Sequence, residues 1–240
     1  GKDQFDEVSI CLDRNDKENP NTNEEAMAFL RINVKSKNQE LVGRLFSAKI
    51  IELALANYPG FTASGGSKPG GPILIYWPAL IDSKHIKEKV HFAGKETEVI
   101  PTSQLDLDEV YYQKTKVDIP PAPKGKTTLK PLGLVFGARS GDKGGCANLG
   151  LWAKTSKAYS FLSEFLTTSK LKELLPDLNE FEIDRYELPN ILSLNFYIHG
   201  ILEDGVSSNS RKDGQAKSLG EYIRAKKVKM PIEIMEDQVE

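Results

Sequence analysis

The chain is poor in cysteine and histidine and has no strong charge of either sign, and each shortage closes off a class of function. Two cysteines, Cys11 and Cys146, stand far apart among 240 residues. A disulfide framework is therefore excluded, and free thiols in a reduced compartment are expected. Cys146 is expected to be a buried, inert thiol. The histidines, His85, His91 and His199, are scattered rather than set at zinc-ligand spacing, so no metal site is expected. With 32 basic against 34 acidic residues and a net charge of −2, there is no basic footprint for nucleic acid. No apolar run reaches the roughly 18 residues of a membrane span. An N-terminal apolar leader segment and an N-glycosylation sequon are both missing, which points away from secretion and toward the cytoplasm.

What is present is 39% hydrophobic and 28% charged residues. That composition suits a soluble chain with one large or two small domains. The chain opens with Gly-Lys-Asp rather than Met, and a piece of a longer protein is expected.

The organising stretch is Phe136-Gly-Ala-Arg139-Ser140-Gly141-Asp142-Lys143-Gly144-Gly145-Cys-Ala-Asn148-Leu-Gly150. Leu132 to Phe136 reads as a buried strand that breaks into a loop of charged residues among glycines. Glycine lets backbone N–H groups turn inward at positive φ, and successive inward N–H groups form an anion-binding concavity. Arg139 and Lys143 would reinforce it. An ordinary hairpin turn with solvated charges is the alternative.

Before this stretch, Val8–Leu12 and Phe29–Val34 read as strands. Asn38 reads as the N-cap of a helix carrying Val42, Leu45, Phe46, Ile50 and Leu53 at helical spacing. That stripe is expected to be core. The helix should stop at Asn57-Tyr58-Pro59-Gly60. A glycine-rich segment from Gly60 to Gly71 fits neither G-x-x-x-x-G-K-[ST] nor G-x-G-x-x-G, and no cofactor is expected. Ile73–Trp77 reads as a strand ended by Pro78. Residues 113–130, with Pro120, Pro121 and Pro123 among lysines, read as a linker between a first region, 1–112, and a second, 131–240.

In the second region, Ser156 caps a helix with Ala158, Phe161, Leu162, Phe165 and Leu166 on one face. A short helix from Ser169 to Leu175 follows. Strands around Phe181–Asp184 and Ile191–Ile198 come next, the latter with Leu192, Leu194, Phe196 and Ile198 on one face. A helix through Leu219, Tyr222 and Ile223 and a closing strand, Val228–Ile234, complete the chain. The order is that of a small α+β sandwich with helices on one face of the sheet.

Four separated motifs carry a family resemblance: Ala138-Arg-Ser-Gly-Asp-Lys-Gly-Gly with Ala147-Asn-Leu-Gly150; Arg185-Tyr-Glu-Leu-Pro-Asn190; Leu194-Asn-Phe196; and Asp213-Gly-Gln-Ala-Lys217. Residues 132–234 resemble the C-terminal, ferredoxin-like domain of the acyclic terpene utilisation protein A family. Ile51-Glu-Leu-Ala-Leu-Ala-Asn-Tyr-Pro-Gly-Phe61 and Tyr76-Trp-Pro-Ala-Leu80 are similar to the end of that family's large N-terminal domain. The resemblance implies a ferredoxin-like α/β sandwich preceded by a partial α/β domain. It also implies a place in the breakdown of branched terpenols, whose intermediates are acyl-CoA thioesters. Cys146 departs from the pattern, where a small or polar residue such as Asn, Asp or Thr is expected, and this weakens a nucleophile reading.

The candidate catalytic residues are Asp142, Lys143 and Glu187, as proton-handling groups. The candidate ligand-binding residues are Arg139, Ser140, Gly141, Gly144, Gly145, Asn148, Asn190, Asn195, Arg211, Asp213 and Lys217. Arg211, Asp213 and Lys217 open the last helix, where an anion suits the dipole. A hydrogen-bonded network that only holds turns together would use the same residues. Two functional readings follow. One is a hydratase- or lyase-like component acting on acyl-CoA or small carboxylates. The other is a non-catalytic module for oligomerisation or subunit docking.

Overall fold

A computed structural model describes residues 1–53, 56, 59–63, 69–99 and 117–236. The expected helix stop at Asn57 and Tyr58, the glycines at 65 and 66, and residues 113–116 of the expected linker lie outside these. The chain divides into two compact units, Gly1–Leu74 and Ile75–Glu240.

In the first unit, β1 (Glu7–Asp13) and β2 (Phe29–Lys35) pair antiparallel, with Ile10 opposite Ile32. Asn38 accepts a hydrogen bond from the Glu40 N–H at 3.0 Å and caps α1 (Gln39–Val42). Gly43 interrupts the helix before α2 (Arg44–Leu53). The apolar stripe expected to be core is not buried here: Leu45 and Leu53 are exposed, and α2 has no buried residue. One hairpin and one helix offer too little apolar surface to cover it.

From Ile75 to Asp82 the second unit has no helix or strand. Residues 73–77 form no strand, contrary to expectation, and Trp77, Leu80 and Ile81 stand in solvent. A hairpin of β3 (Lys89–Phe92) and β4 (Lys95–Glu98) follows. Its turn residues Ala93 and Gly94 both have positive φ, as the tight two-residue turn that matches strand twist requires.

The core lies beyond residue 117. β5 (Thr127–Pro131) occupies residues read as the end of a linker and pairs antiparallel with a late strand, Lys227–Pro231. Leu132–Phe136 is not a strand. Leu132–Leu134 is a 3-10 turn, and Leu132, Val135 and Phe136 are buried. Their i, i+3, i+4 spacing aims all three inward from a turn, which a short apolar run permits as readily as a strand.

Next come β6 (Gly137–Lys143), β7 (Cys146–Trp152), α3 (Ser156–Phe165), α4 (Thr168–Leu174), β8 (Ile183–Leu188), β9 (Ser193–Ile198), α5 (Leu219–Ala225), β10 (Lys227–Pro231) and α6 (Glu233–Glu236). The cap of α3 is Thr155 rather than Ser156, its hydroxyl accepting from the Ala158 N–H at 3.2 Å. The closing strand stops at Pro231, so Ile234 is buried from a short helix instead. Four strands form an antiparallel sheet in the order β6-β7-β9-β8. α5 packs across β6 and β7, and α4 lies beside β8. Leu149, Leu151, Leu194, Phe196 and Ile198 point into this layer and are fully buried with Tyr159, Leu162, Leu166, Leu171 and Ile223. At about 1.5–3 kcal/mol for each large apolar side chain buried, this layer is what holds the domain together. The chain is α+β, a helix layer on one face of an antiparallel sheet.

Candidate functional site

Helices cover one face of the four-stranded sheet, so period-2 alternation leaves every second residue on the other face. Directly paired residues share a face, and the register therefore writes that face as cross-strand rows. One row runs Gly137, Trp152, Ser193, Leu188; the next Arg139, Gly150, Asn195, Tyr186; the next Gly141, Asn148, Tyr197, Asp184. Lys143 and Cys146 end the surface beside the turn. Four strands about 4.8 Å apart make a surface roughly 14 Å wide.

At its β6 edge the surface is cationic. Arg139 is exposed, and its side chain has no hydrogen-bond or ion-pair partner among the described residues. Lys217 brings its ammonium over Gly141, 2.9 Å from where a Cβ would stand, and lies 3.8 Å from an Asp142 carboxylate oxygen. Gly141 lacks a side chain, and that leaves the space. Lys143 donates to the carbonyl of Asp142 at 2.9 Å and is otherwise solvated.

In the middle, the Asn148 amide nitrogen donates to the Asn195 side-chain oxygen at 3.3 Å. The Asn195 nitrogen is left free to donate to a carbonyl or carboxylate. Beside this pair a hollow of about 390 Å³ is walled by Trp152, Tyr186, Leu188 and Ile191, with Gly150 and Asn195 in its lining. Bare backbone at Gly150 gives the hollow its depth. Trp152 is held in place by lying over its pair partner Gly137, where a Cβ would stand 2.2 Å from the indole.

The expected loop is a hairpin. Residues 137–143 pair with β7, every second one exchanging its N–H and C=O with that strand, and Gly144-Gly145 are left as a two-residue turn. Gly144 alone of the pair has positive φ, the requirement of a type II′ turn. No nest of inward N–H groups forms.

The other candidates fall elsewhere. Ser140 faces the helices, donating to the Lys217 carbonyl at 3.1 Å and accepting from the Gly220 N–H at 2.9 Å. Asp213 accepts from the N–H groups of Lys217 and Ser218 and from the Ser218 hydroxyl. Burial works against its carboxylate, but these bonds prevail and hold its pKa below the usual value. Arg211 lies 3.7 Å from Asp177. Asn190 is exposed in the turn Pro189–Ile191. Glu187 sits on the helix-side register, accepting from Arg185 at 2.6 Å and from Ser163 at 3.0 Å. The Arg185 bond is the main reason its carboxyl lies below the ordinary range. Arg139, Gly141, Lys143, Asn148, Asn195 and Lys217 are thus brought together, whereas Glu187, Asn190, Arg211 and Asp213 are not.

The sequence reading did not place Trp152, Tyr186, Leu188, Ile191, Asp184 or Tyr197 in the site, and it set aside a Cys146–His199 pair because the sequence alone cannot bring the two together. Extending the alternation of Ser193, Asn195 and Tyr197 across to the preceding strand was the available signal. His199 Nε2 lies 2.9 Å from Asp184 Oδ2, and the rings of Tyr197 and His199 meet edge to face at 4.9 Å. Among the described residues no three metal-ligating side chains converge, and no helix is long and apolar enough to cross a membrane.

Neither the curated proteins nor the solved structures yielded a match. Two family models do match. Residues 131–229 match the AtuA ferredoxin-like domain, which spans the whole four-stranded sheet and its helices. Residues 1–92 match the model described as acyclic terpene utilisation family protein AtuA. On these two matches, which follow one another along most of its length, the chain belongs to the AtuA acyclic terpene utilisation family.

Proposed function

We propose that the open face of the sheet binds an acyl-CoA or small carboxylate intermediate of branched-chain or terpenoid catabolism. One observation carries this reading: an apolar hollow opens directly beside an amide pair and a cationic edge. A branched acyl group suits the hollow walled by Trp152, Leu188 and Ile191. The Asn195 amide suits the carbonyl. Arg139 and Lys217 suit the phosphate or carboxylate, Arg139 as a planar fork. The reaction class proposed is hydratase- or lyase-like, with proton transfer by Lys143 at the turn end of the face; Asp142, which the register pairs with the buried Ala147, faces the helix side. A cytoplasmic location fits both the intermediates and the free cysteines.

Calorimetric titration with coenzyme A and a branched acyl-CoA, against Arg139→Ala and Gly150→Val, tests it. Binding should weaken in both variants, through the head group in the first and the acyl chain in the second. Equal binding by all three proteins overturns the reading.

A second reading is favoured by the exposed apolar residues Trp77, Leu80 and Ile81. Such surface suits self-association, and the proposed partner is a second copy of the chain. Sedimentation of the Trp77→Ser, Leu80→Ser double variant tests it; a monomeric parent protein overturns it.

A further inference from the structure

At the turn end of the open face, β7, the residue that follows β9, and β8 place three chemically reactive residues, Cys146, His199 and Asp184, at neighbouring positions. The last directly paired residues of β7 and β9 are Ala147 and Ile198. One step beyond them, on the open face, are Cys146 and His199. The two strand ends are close, since the N–H of Gly200, next in chain to His199, donates to Cys146 Sγ at 3.4 Å. From β8, Asp184 holds His199 by Nε2 at 2.9 Å. A carboxylate there fixes the proton on Nε2 and leaves the lone pair on Nδ1. The Tyr197 phenol lies against the sulfur from the adjoining row. Its pKa is raised, first by its contact with the Cys146 thiol and then by burial. Cys146 itself is only half-buried, where its sequence context suggested a buried thiol.

We propose that Cys146 is a nucleophile that accepts an acyl group from an acyl thioester, with His199, oriented by Asp184, as its base. A nucleophile, a base and a group that orients the base are the recurring parts of covalent acyl transfer. Gly200 N–H and Tyr197 O–H supply donors to the thiolate. His199 takes the S–H proton as Cys146 Sγ bonds to the thioester carbonyl carbon. The carbon–sulfur bond to the departing thiol then breaks, and that thiol leaves with the proton from His199. One thioester is exchanged for another, and nothing is oxidised or reduced. Four residues of strand, roughly 13 Å at about 3.3 Å per residue, separate Cys146 from Gly150. An acyl chain on Cys146 would therefore lie over Asn148, and only a chain long enough to cross that span would reach the apolar hollow; an isovaleryl group would stop short of it. The proposal rests on the reading of this face as an acyl site.

The test incubates the full chain with isovaleryl-CoA and follows intact mass, peptide mapping and release of free coenzyme A, with calorimetry in parallel on Cys146→Ser. One acyl group on Cys146, removable by hydroxylamine, is expected, with Cys11 unmodified. His199→Asn should slow acylation by about tenfold or more. In a readout independent of acyl binding, it should also slow alkylation of Cys146 by iodoacetamide relative to Cys11. Binding of isovaleryl-CoA without any adduct overturns the nucleophile and leaves the acyl site standing. Neither binding nor adduct overturns both. Acylation unchanged in His199→Asn, with the fold intact by circular dichroism, overturns the role of the base.

Discussion

The two faces of the four-stranded sheet are built from the same strands, yet they obey different rules. Toward the helices, β7 and β9 present Leu149, Leu151, Leu194, Phe196 and Ile198, all fully buried. Away from them, the same strands present Cys146, Asn148, Gly150, Asn195 and Tyr197, none of which is an aliphatic side chain. A sheet that needed only solubility would carry charged, interchangeable residues on its free face. This one carries amides, aromatics, a bare glycine and a thiol, partly buried and bonded to one another. The difference separates two roles: the helix face holds the domain, and the open face is the one proposed above to take a ligand.

The comparison can be broken from either side, and the largest effect comes from the helix face. Phe196→Ala leaves a cavity in the sheet's centre and should cost about 3–5 kcal/mol, read as a lower urea midpoint at unchanged slope. Arg185→Ala comes next. Its guanidinium donates to the Leu166 carbonyl at 3.1 Å, the Ser163 carbonyl at 2.8 Å and Glu187 at 2.6 Å. Losing these should cost about 1–3 kcal/mol in the same assay, with no change in ligand affinity. On the open face the pattern should invert. A Cβ at Gly150 meets only ordinary contacts, 3.7 Å from the Arg139 carbonyl oxygen and 3.9 Å from Asn195. Gly150→Val should therefore shift stability by no more than about 0.5 kcal/mol while weakening a branched acyl-CoA by about tenfold, or about 1.4 kcal/mol.

The smallest effect is that of acid. Glu187 and Asp213 both have folded-state pKa values below their ordinary ones, Glu187 chiefly through Arg185 and Asp213 through its bonds to Ser218 and Lys217 against a desolvation penalty. A depressed carboxylate contributes stability that is fully present above its unfolded pKa and is lost as pH falls through the folded value. The urea midpoint should thus be flat near neutrality and decline below about pH 4. Since Glu187 is half exposed, its share is at the small end for ion pairs. Glu187→Gln should flatten the decline slightly and Asp213→Asn more.

Much of the helix face was legible in the sequence. Leu194, Phe196 and Ile198 alternate with polar residues, and Ala158, Phe161, Leu162 and Phe165 fall at helical spacing, so both elements declare their buried side. Leu132–Phe136 did not, because five residues without polar interruption carry no period. The apolar stripe of α2 was read as core although too little packs against it. For the site, Arg139, Asn148 and Asn195 were legible as chemistry but not as neighbours, since adjacency depends on register across three strands. The same holds for His199 and Asp184. They lie 15 positions apart in sequence, and only the antiparallel return of β8 and β9 joins them.

The most direct test of the two-face account is chemical-shift mapping of the isotopically labelled chain during titration with a branched acyl-CoA. Shifts confined to the amides and side chains of Arg139, Asn148, Gly150, Trp152 and Asn195, with α3 and α5 unmoved, are the predicted result. Shifts centred on the helices, or none on the open face at saturating ligand, would contradict it.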